Sequence, residues 1–177
     1  FEDITESAGI TYSKSWTTGV CMTDINDDGY TDIHICRSGL ASDSTKGNLT
    51  FINLKDGSFS EVSKQIGLHD EGPSSQIYFF DFDLDDDLDA YVINHPVAFE
   101  NVYQTLEQLR PAKDSIFSNR FYVNNGGKFV ESNALLGLDL DKGFSLSASI
   151  GDANNDGYPD IYVANDFISP DMYLINN

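Results

Sequence analysis

The sequence predicts an all-β protein built from repeated sheets of four antiparallel strands, and three observations lead to this prediction. An oxygen-rich loop of nine residues occurs three times, at residues 24–32, 81–89 and 152–160. Apolar, strand-like runs precede and follow each loop, and short turns rich in Gly, Asp and Asn separate later runs. The whole pattern recurs with a period of about 60 residues, which is typical of a supersecondary unit that stacks on its neighbours.

Each loop offers side-chain oxygens at positions 1, 3, 5 and 9 and a backbone carbonyl at position 7. Such a set suits Ca²⁺, which takes about 6–8 oxygen ligands, better than Mg²⁺, which keeps several of its waters. A single acidic loop is ordinarily a solvated turn, but three copies in one frame predict metal binding, with about three Ca²⁺ sites. The candidate ligands are Asp24, Asn26, Asp28, Tyr30, Asp32, Asp81, Asp83, Asp85, Asp87, Asp89, Asp152, Asn154, Asp156, Tyr158 and Asp160.

The residues after each loop exclude an EF-hand. That motif needs a Glu at position 12 of the loop and a helix after it. Position 12 is instead Ile35, Val92 or Val163, each inside an apolar run that reads as a strand. Each predicted cation site therefore lies in the turn of a β-hairpin.

Two further strands complete each unit. The third strand is predicted over residues 48–53, 120–124 and 171–176, and the fourth begins at Phe59 or Phe129. Four antiparallel strands at this spacing are typical of a β-propeller blade. We expect the second loop to bind Ca²⁺ most tightly because four carboxylates occupy its positions 1, 3, 5 and 9. A left-handed turn at Asp86 would cost about 1 kcal/mol relative to Gly and would work against this advantage.

The fold class predicted for residues 1–177 is a partial propeller of about three blades with one helical insertion. Its parts are residues 1–10 as the last strand of a preceding blade, 11–68 as a blade, 69–138 as a blade with an insertion at 96–119, and 139–177 as an incomplete blade. Apolar residues at helical spacing predict a helix over 97–110. Because a propeller needs about four blades to close, we expect a larger protein or a partner chain.

The charge of the chain limits its function and setting. The net charge is −19, and nearly half of the 29 acidic residues lie in the three loops. This balance argues against nucleic acid as a partner, and no apolar run has the length of a membrane span. Calcium sites of modest affinity favour an extracellular setting. Cys21 and Cys36 flank the first loop, and free thiols are favoured there over a cross-strand disulfide.

The sequence carries no recognisable catalytic constellation. His34, His69 and His95 lie in different elements, and no nucleophile elbow, phosphate-binding loop or zinc signature is present. We therefore predict that the chain is not an enzyme. Trp16 is interpreted as a buried anchor, with stacking on a sugar as the alternative.

The repeated motif resembles a known family. The pattern D-x-[DN]-x-D-G-x-x-D, followed by L-Y-x-N-N-G-x-F and a closing G-[IL], is similar to the FG-GAP/VCBS repeats of integrin-α-type propellers. The run over residues 160–167 resembles the bacterial members associated with ASPIC/UnbV proteins. Asp86 departs from the pattern, which has Gly at that position.

The resemblance implies a Ca²⁺-binding loop between the first two strands of each blade. It also implies a non-catalytic, protein-binding module, extracellular or at a cell surface, that contacts a protein partner or the remainder of its own larger chain. Strand alternation places the long loops at the end of the sheets opposite the metal loops, where binding is expected. The alternative is a carbohydrate-binding or glycan-processing accessory module.

Overall fold

The computed structural model describes residues 1–11, 15–38, 47–95, 118–137, 144–166 and 169–177. Its strands are β1 (Trp16–Thr23), β2 (Asp32–Ser38), β3 (Leu49–Asn53), β4 (Phe59–Glu61), β5 (Ser74–Phe80), β6 (Asp89–Asn94), β7 (Arg120–Asn124), β8 (Phe129–Glu131), β9 (Ser145–Gly151), β10 (Asp160–Asn165) and β11 (Met172–Leu174). A helical turn, α1 (Ser63–Ile66), follows β4, and a 3₁₀ turn (Asn133–Leu136) follows β8.

The strands form three antiparallel sheets in which sequence neighbours pair. The first sheet has the order β1-β2-β3-β4, the second β5-β6-β7-β8, and the third β9-β10-β11. The predicted all-β class and the partial propeller-like architecture of four-stranded sheets are therefore confirmed. The predicted helix over 97–110 lies outside the described residues. The predicted blade boundaries stay predictions.

The second sheet lies between the other two and is covered on both faces. Every residue of β6 is buried, as expected for a central strand packed on both sides. One face of this sheet contributes Ile77, Ala90 and Val92 to a cluster that includes Cys36 of the first sheet. Its other face contributes residues such as Tyr91 to a cluster with β10. Burial of each large apolar side chain contributes about 1.5–3 kcal/mol, so these two clusters hold the sheets together.

Two of the three closing glycines, Gly9 and Gly67, pack against the unit that follows, whereas Gly137 has no such neighbour among the described residues. A Cβ added at Gly67, whose φ is 93°, would lie 2.3 Å from the carbonyl oxygen of Phe129, so only Gly fits. Gly9 approaches the Phe59 carbonyl in the same way, and the Phe59 N–H donates to the Ala8 carbonyl oxygen at 2.9 Å. The repeated spacing of Phe and Gly in the sequence therefore reflects contacts between successive units.

The prediction of a strand over residues 1–10 has to be corrected. Residues 5–9 form a turn, and no described strand pairs with residues 1–10. Strand geometry requires a neighbouring strand for its hydrogen bonds, and Phe1 is fully exposed instead. The two short helical turns after β4 and β8 were also not predicted.

The outcome of the single-residue predictions is mixed. Cys21 and Cys36 are free thiols, as predicted. Trp16 is 62% exposed, so the prediction of a buried anchor is wrong. It is the first residue of β1. His34 is fully buried in β2, where its Nδ1 lies 2.9 Å from the Thr50 hydroxyl.

No helix among the described residues is long and apolar enough to cross a membrane.

Candidate metal centre

The three oxygen-rich loops are the tips of the hairpins β1–β2, β5–β6 and β9–β10. At position 1 of the first loop, Asp24 Oδ1 accepts the N–H of Asp28 at 3.0 Å and Oδ2 accepts that of Gly29 at 2.6 Å. Asp81 and Asp152 accept the N–H groups of positions 5 and 6 of their own loops at 2.9–3.1 Å. The carboxylate at position 1 therefore gathers two backbone N–H groups of its own loop, while Asp24 and Asp81 stay half-buried and Asp152 exposed.

Left-handed backbone at positions 4 and 6 curls each loop around that carboxylate. The φ angles at position 4 are 53° for Asp27, 62° for Leu84 and 62° for Asn155. At position 6 the second loop has Asp86 with φ 71°, where the other two loops have Gly. Asp86 therefore adopts the left-handed turn whose cost could offset the charge advantage of the second loop. Leu84 is the costlier residue, because only Gly, Asn and Asp adopt this region readily.

The carboxylate at position 9 ties each loop to its sheet. Asp32 accepts the N–H of Ile25 at 2.9 Å through Oδ2 and that of Asn53, in β3, at 2.8 Å through Oδ1. Asp89 and Asp160 make the same two kinds of bond, to position 2 and to the Asn that follows or ends the third strand. All three carboxylates are buried. Position 9 is therefore a bridge within the sheet as well as a candidate ligand.

Position 3 distinguishes the second loop. In the first and third loops the amide nitrogens of Asn26 and Asn154 donate to the position 5 carboxylate, at 3.2 and 2.7 Å. A half-turn of the amide would present its oxygen to a cation at the same place. In the second loop the residue is Asp83. Its carboxylate, with those of Asp81 and Asp89, places three oxygens within 4.8 Å of one another.

Oxygens this close to one another can share one metal ion. A hard cation lies about 2.0–2.6 Å from each oxygen ligand, so its ligands are separated by no more than about 5 Å. Among the described residues, no other set of three His, Cys, Asp or Glu side chains brings its ligand atoms this close together. The second loop therefore holds its acidic groups in an arrangement that a hard cation can bridge.

Burial and mutual repulsion work against ionised carboxylates here. Burial raises the pKa of Asp89 to about 6. The N–H groups of Asn124 and Phe82, which donate to this carboxylate, act to lower its pKa, and the neighbouring Asp83 and Asp87 carboxylates act to raise it. Burial likewise raises the pKa of Asp32, with smaller contributions in the same direction from Asp28 and Asp24. A bound cation would reverse this balance, since it favours the charged form of each ligand.

Position 7 was predicted to act through its backbone carbonyl. Its N–H donates to the carboxylate at position 5, at 3.0 Å for Tyr30 and Asp87 and 2.9 Å for Tyr158. The two tyrosine side chains are exposed. The Oδ1 atom of Asp87, in contrast, is buried and has no hydrogen-bond partner. The second loop thus holds an additional carboxylate oxygen that the loops with Tyr lack.

Two groups of residues at the centre were missed by the sequence reasoning. Asn53, Asn124 and Asn176 accompany the third strand of each unit and donate their N–H groups to position 9. Their recurrence at the end of that strand was a signal available in the sequence. Lys55, which contacts the first loop, had no such signal because it belongs to a separate turn.

A family comparison now adds to this geometry. A family model described as an FG-GAP-like repeat matches residues 24–92. The chain carries an FG-GAP-like repeat. This repeat begins at position 1 of the first loop, includes the second loop and ends in β6. The third loop lies beyond the matched residues but repeats the hydrogen bonds of the two loops in the FG-GAP-like repeat. None of the curated proteins in the comparison matches the chain.

Proposed function

We propose that the chain is a calcium-stabilised propeller segment that acts as a non-catalytic protein-interaction module outside the cell. The observation that carries this proposal is the recurrence of one hydrogen-bond pattern in three hairpin tips of different sequence. Each tip gathers backbone N–H groups at the position 1 carboxylate and ties position 9 to the third strand. A solvated acidic turn has no need of such an arrangement.

The ligands in each tip would be the side-chain oxygens of positions 1, 3, 5 and 9 and the carbonyl of position 7. The ion would supply positive charge among acidic groups that otherwise repel one another. The residues themselves fix the loop: position 1 gathers the backbone N–H groups, and position 9 anchors the tip to the sheet. Binding to the folded state alone would add about 2.7 kcal/mol per site at a hundredfold excess of ion over Kd.

The metal loops support a binding function indirectly. They stiffen one end of each sheet, and the connections after β2, β6 and β10 leave from the opposite end. Loops on a rigid scaffold are where binding surfaces usually lie. We place the contact with a protein partner, or with the rest of a larger chain, at that opposite end. Calcium sites of modest affinity fill in the roughly millimolar Ca²⁺ found outside cells, which supports an extracellular setting.

Thermal unfolding with and without Ca²⁺ tests the metal proposal. The full chain is melted in a chelator, in about 2 mM Ca²⁺ and in the same concentration of Mg²⁺, a range typical of extracellular modules. We expect Ca²⁺ to raise Tm by several degrees and Mg²⁺ to raise it much less. The control is Asp56→Asn, which removes an exposed carboxylate from the β3–β4 turn and should keep the wild-type Ca²⁺ shift in Tm. A Ca²⁺ shift equal to the Mg²⁺ shift would contradict the proposal.

A carbohydrate-binding module is the second candidate function, and the exposure of Trp16 favours it. Its side chain is 62% exposed at the start of β1, and an exposed indole is a common platform for a sugar ring. We expect any such binding to need the Trp16 ring and not the metal loops.

A glycan array with the wild-type chain and Trp16→Ala separates the two candidates. Binding to a defined saccharide that is lost in Trp16→Ala and kept in Met22→Ala, a neighbouring exposed residue of β1, would favour the carbohydrate function. Absence of saccharide binding in the wild type would leave the protein-interaction module as the better proposal.

A further inference from the structure

Lys55 places a positive charge on the first metal loop from outside the loop. It lies in the turn between β3 and β4, with left-handed backbone at φ 68° and its N–H donating to Asn53 Oδ1 at 2.9 Å. Its ammonium Nζ lies 3.4 Å from Asp28 Oδ2 and 3.5 Å from the Asp28 carbonyl oxygen. The same Nζ stands 4.9 Å from the centre of the Tyr30 ring.

These contacts fall on atoms that a cation would need. Asp28 is the position 5 ligand of the first loop, and its Oδ1 already accepts the Tyr30 N–H at 3.0 Å. Oδ2 accepts the Asn26 amide at 3.2 Å, and a half-turn of that amide would free Oδ2 for an ion. It is also the oxygen that Lys55 contacts. A lysine ammonium is a compact point charge, so it competes directly for a carboxylate oxygen.

The second loop provides a comparison in which the lysine of the equivalent turn contacts another group. The corresponding turn, between β7 and β8, also contains a lysine, but Lys128, the last residue of that turn, donates its ammonium to the backbone carbonyl of Gln65. It therefore reaches the helical turn of the preceding unit, not a loop carboxylate. Each turn carries one lysine, although the β3–β4 turn also carries Asp56, and the two ammonium groups lie in different places.

We propose that Lys55 is a built-in competing cation that lowers the Ca²⁺ affinity of the first loop and leaves Asp28 when the ion binds. This inference rests on the proposed calcium function. The second loop, with four carboxylates and no lysine contact, fills first. The first loop fills at a higher Ca²⁺ concentration, and its filling detaches the β3–β4 turn from the loop. The first loop is thus a responsive site beside one that fills at a lower Ca²⁺ concentration.

Site-resolved Ca²⁺ titration of the full chain by NMR tests this proposal. The amides of Gly29 and Gly157, at position 6 of the first and third loops, report the filling of each loop separately. For Lys55→Gln we expect the midpoint at Gly29 to fall by about two- to fivefold, the range for a partly exposed ion pair, and the midpoint at Gly157 to stay unchanged. Lys55→Arg, which keeps the charge, should restore the wild-type midpoint.

Lys128→Gln is the matched control, because it removes the same charge from the equivalent turn. It should leave the Gly29 midpoint where it is. The proposal is overturned if Lys55→Gln leaves that midpoint unchanged, or if Lys128→Gln lowers it equally, which would indicate a general charge effect. If no loop amide responds to Ca²⁺ in the wild type, the calcium function itself fails, and that result differs from both.

Discussion

The first and second sheets of this protein have the same topology and nearly the same loop hydrogen bonds, but they differ in charge. In both loops the position 1 carboxylate accepts backbone N–H groups of the loop, and the position 9 carboxylate accepts an N–H group of the third strand. The second loop reaches this shape with Asp83 and Asp86 where the first has Asn26 and Gly29. The comparison teaches that positions 1 and 9 determine the loop conformation, while positions 3 and 6 are free to adjust affinity and strain.

Replacement of the anchor carboxylate should give the largest effect. Asp89→Ala removes the acceptor of the Phe82 and Asn124 N–H groups in a buried setting, so we expect a loss of about 2–4 kcal/mol in the free energy of unfolding. Asp85→Ala, at an exposed ligand position of the same loop, should cost less than about 1 kcal/mol. Denaturant unfolding in a chelator measures both without any metal contribution. Equal losses would show that position 9 is not a structural anchor.

Acid should destabilise the first sheet through a residue that the second sheet lacks. His34 occupies the position of Tyr91, and burial lowers its pKa to about 3. The unfolded chain takes up a proton below about pH 6.5, whereas the folded chain does not, so stability falls as pH decreases from about 6.5 towards 3. The expected contribution is about 2 kcal/mol at pH 5.

Unfolding free energies of the wild type and His34→Gln at pH 7 and pH 5 measure this contribution. The variant should lose less stability between the two pH values than the wild type, even if its stability at pH 7 is lower. The same loss in both proteins would mean that other groups cause the acid sensitivity.

Exchange of the position 3 residues should exchange the affinities of the two loops. Asp83→Asn gives the second loop the same residue types as the first at positions 1, 3, 5 and 9, and we expect its Kd for Ca²⁺ to rise by about tenfold. Asn26→Asp should lower the Kd of the first loop for Ca²⁺. Calorimetric Ca²⁺ titration of both variants checks this pair. A second loop that binds more weakly than the first in the wild type would contradict the charge argument.

Relief of backbone strain at position 6 should give the smallest effect. Asp86 has φ 71°, so Asp86→Gly should stabilise the protein by up to about 1 kcal/mol in a chelator. Gly29→Ala in the first loop, at φ 84°, should destabilise it by a similar amount. Thermal unfolding of the pair provides the comparison, and destabilisation by Asp86→Gly would show that its side chain is needed.

Much of the architecture could be predicted because the loops mark the hairpins so clearly. Oxygen residues at fixed positions, followed by apolar runs, determine where β1 and β2 or β5 and β6 meet. The left-handed backbone at position 4 could not be predicted, since Leu84 gives no signal for it. Nor could the reach of Lys55 to Asp28, because it depends on how two separate turns lie beside each other. The absence of a strand at residues 1–10 has the same cause: pairing depends on a neighbour, not on local sequence.

The most direct test of the central claim is an anomalous difference map from crystals of the full chain grown with Ca²⁺ at a millimolar concentration. The account predicts a peak in each hairpin tip, with the strongest in the second loop. The ion there should lie about 2.3–2.6 Å from oxygens of Asp81, Asp83, Asp85 and Asp89. A second loop with no anomalous density, and with its carboxylates in the hydrogen bonds described here, would contradict the account.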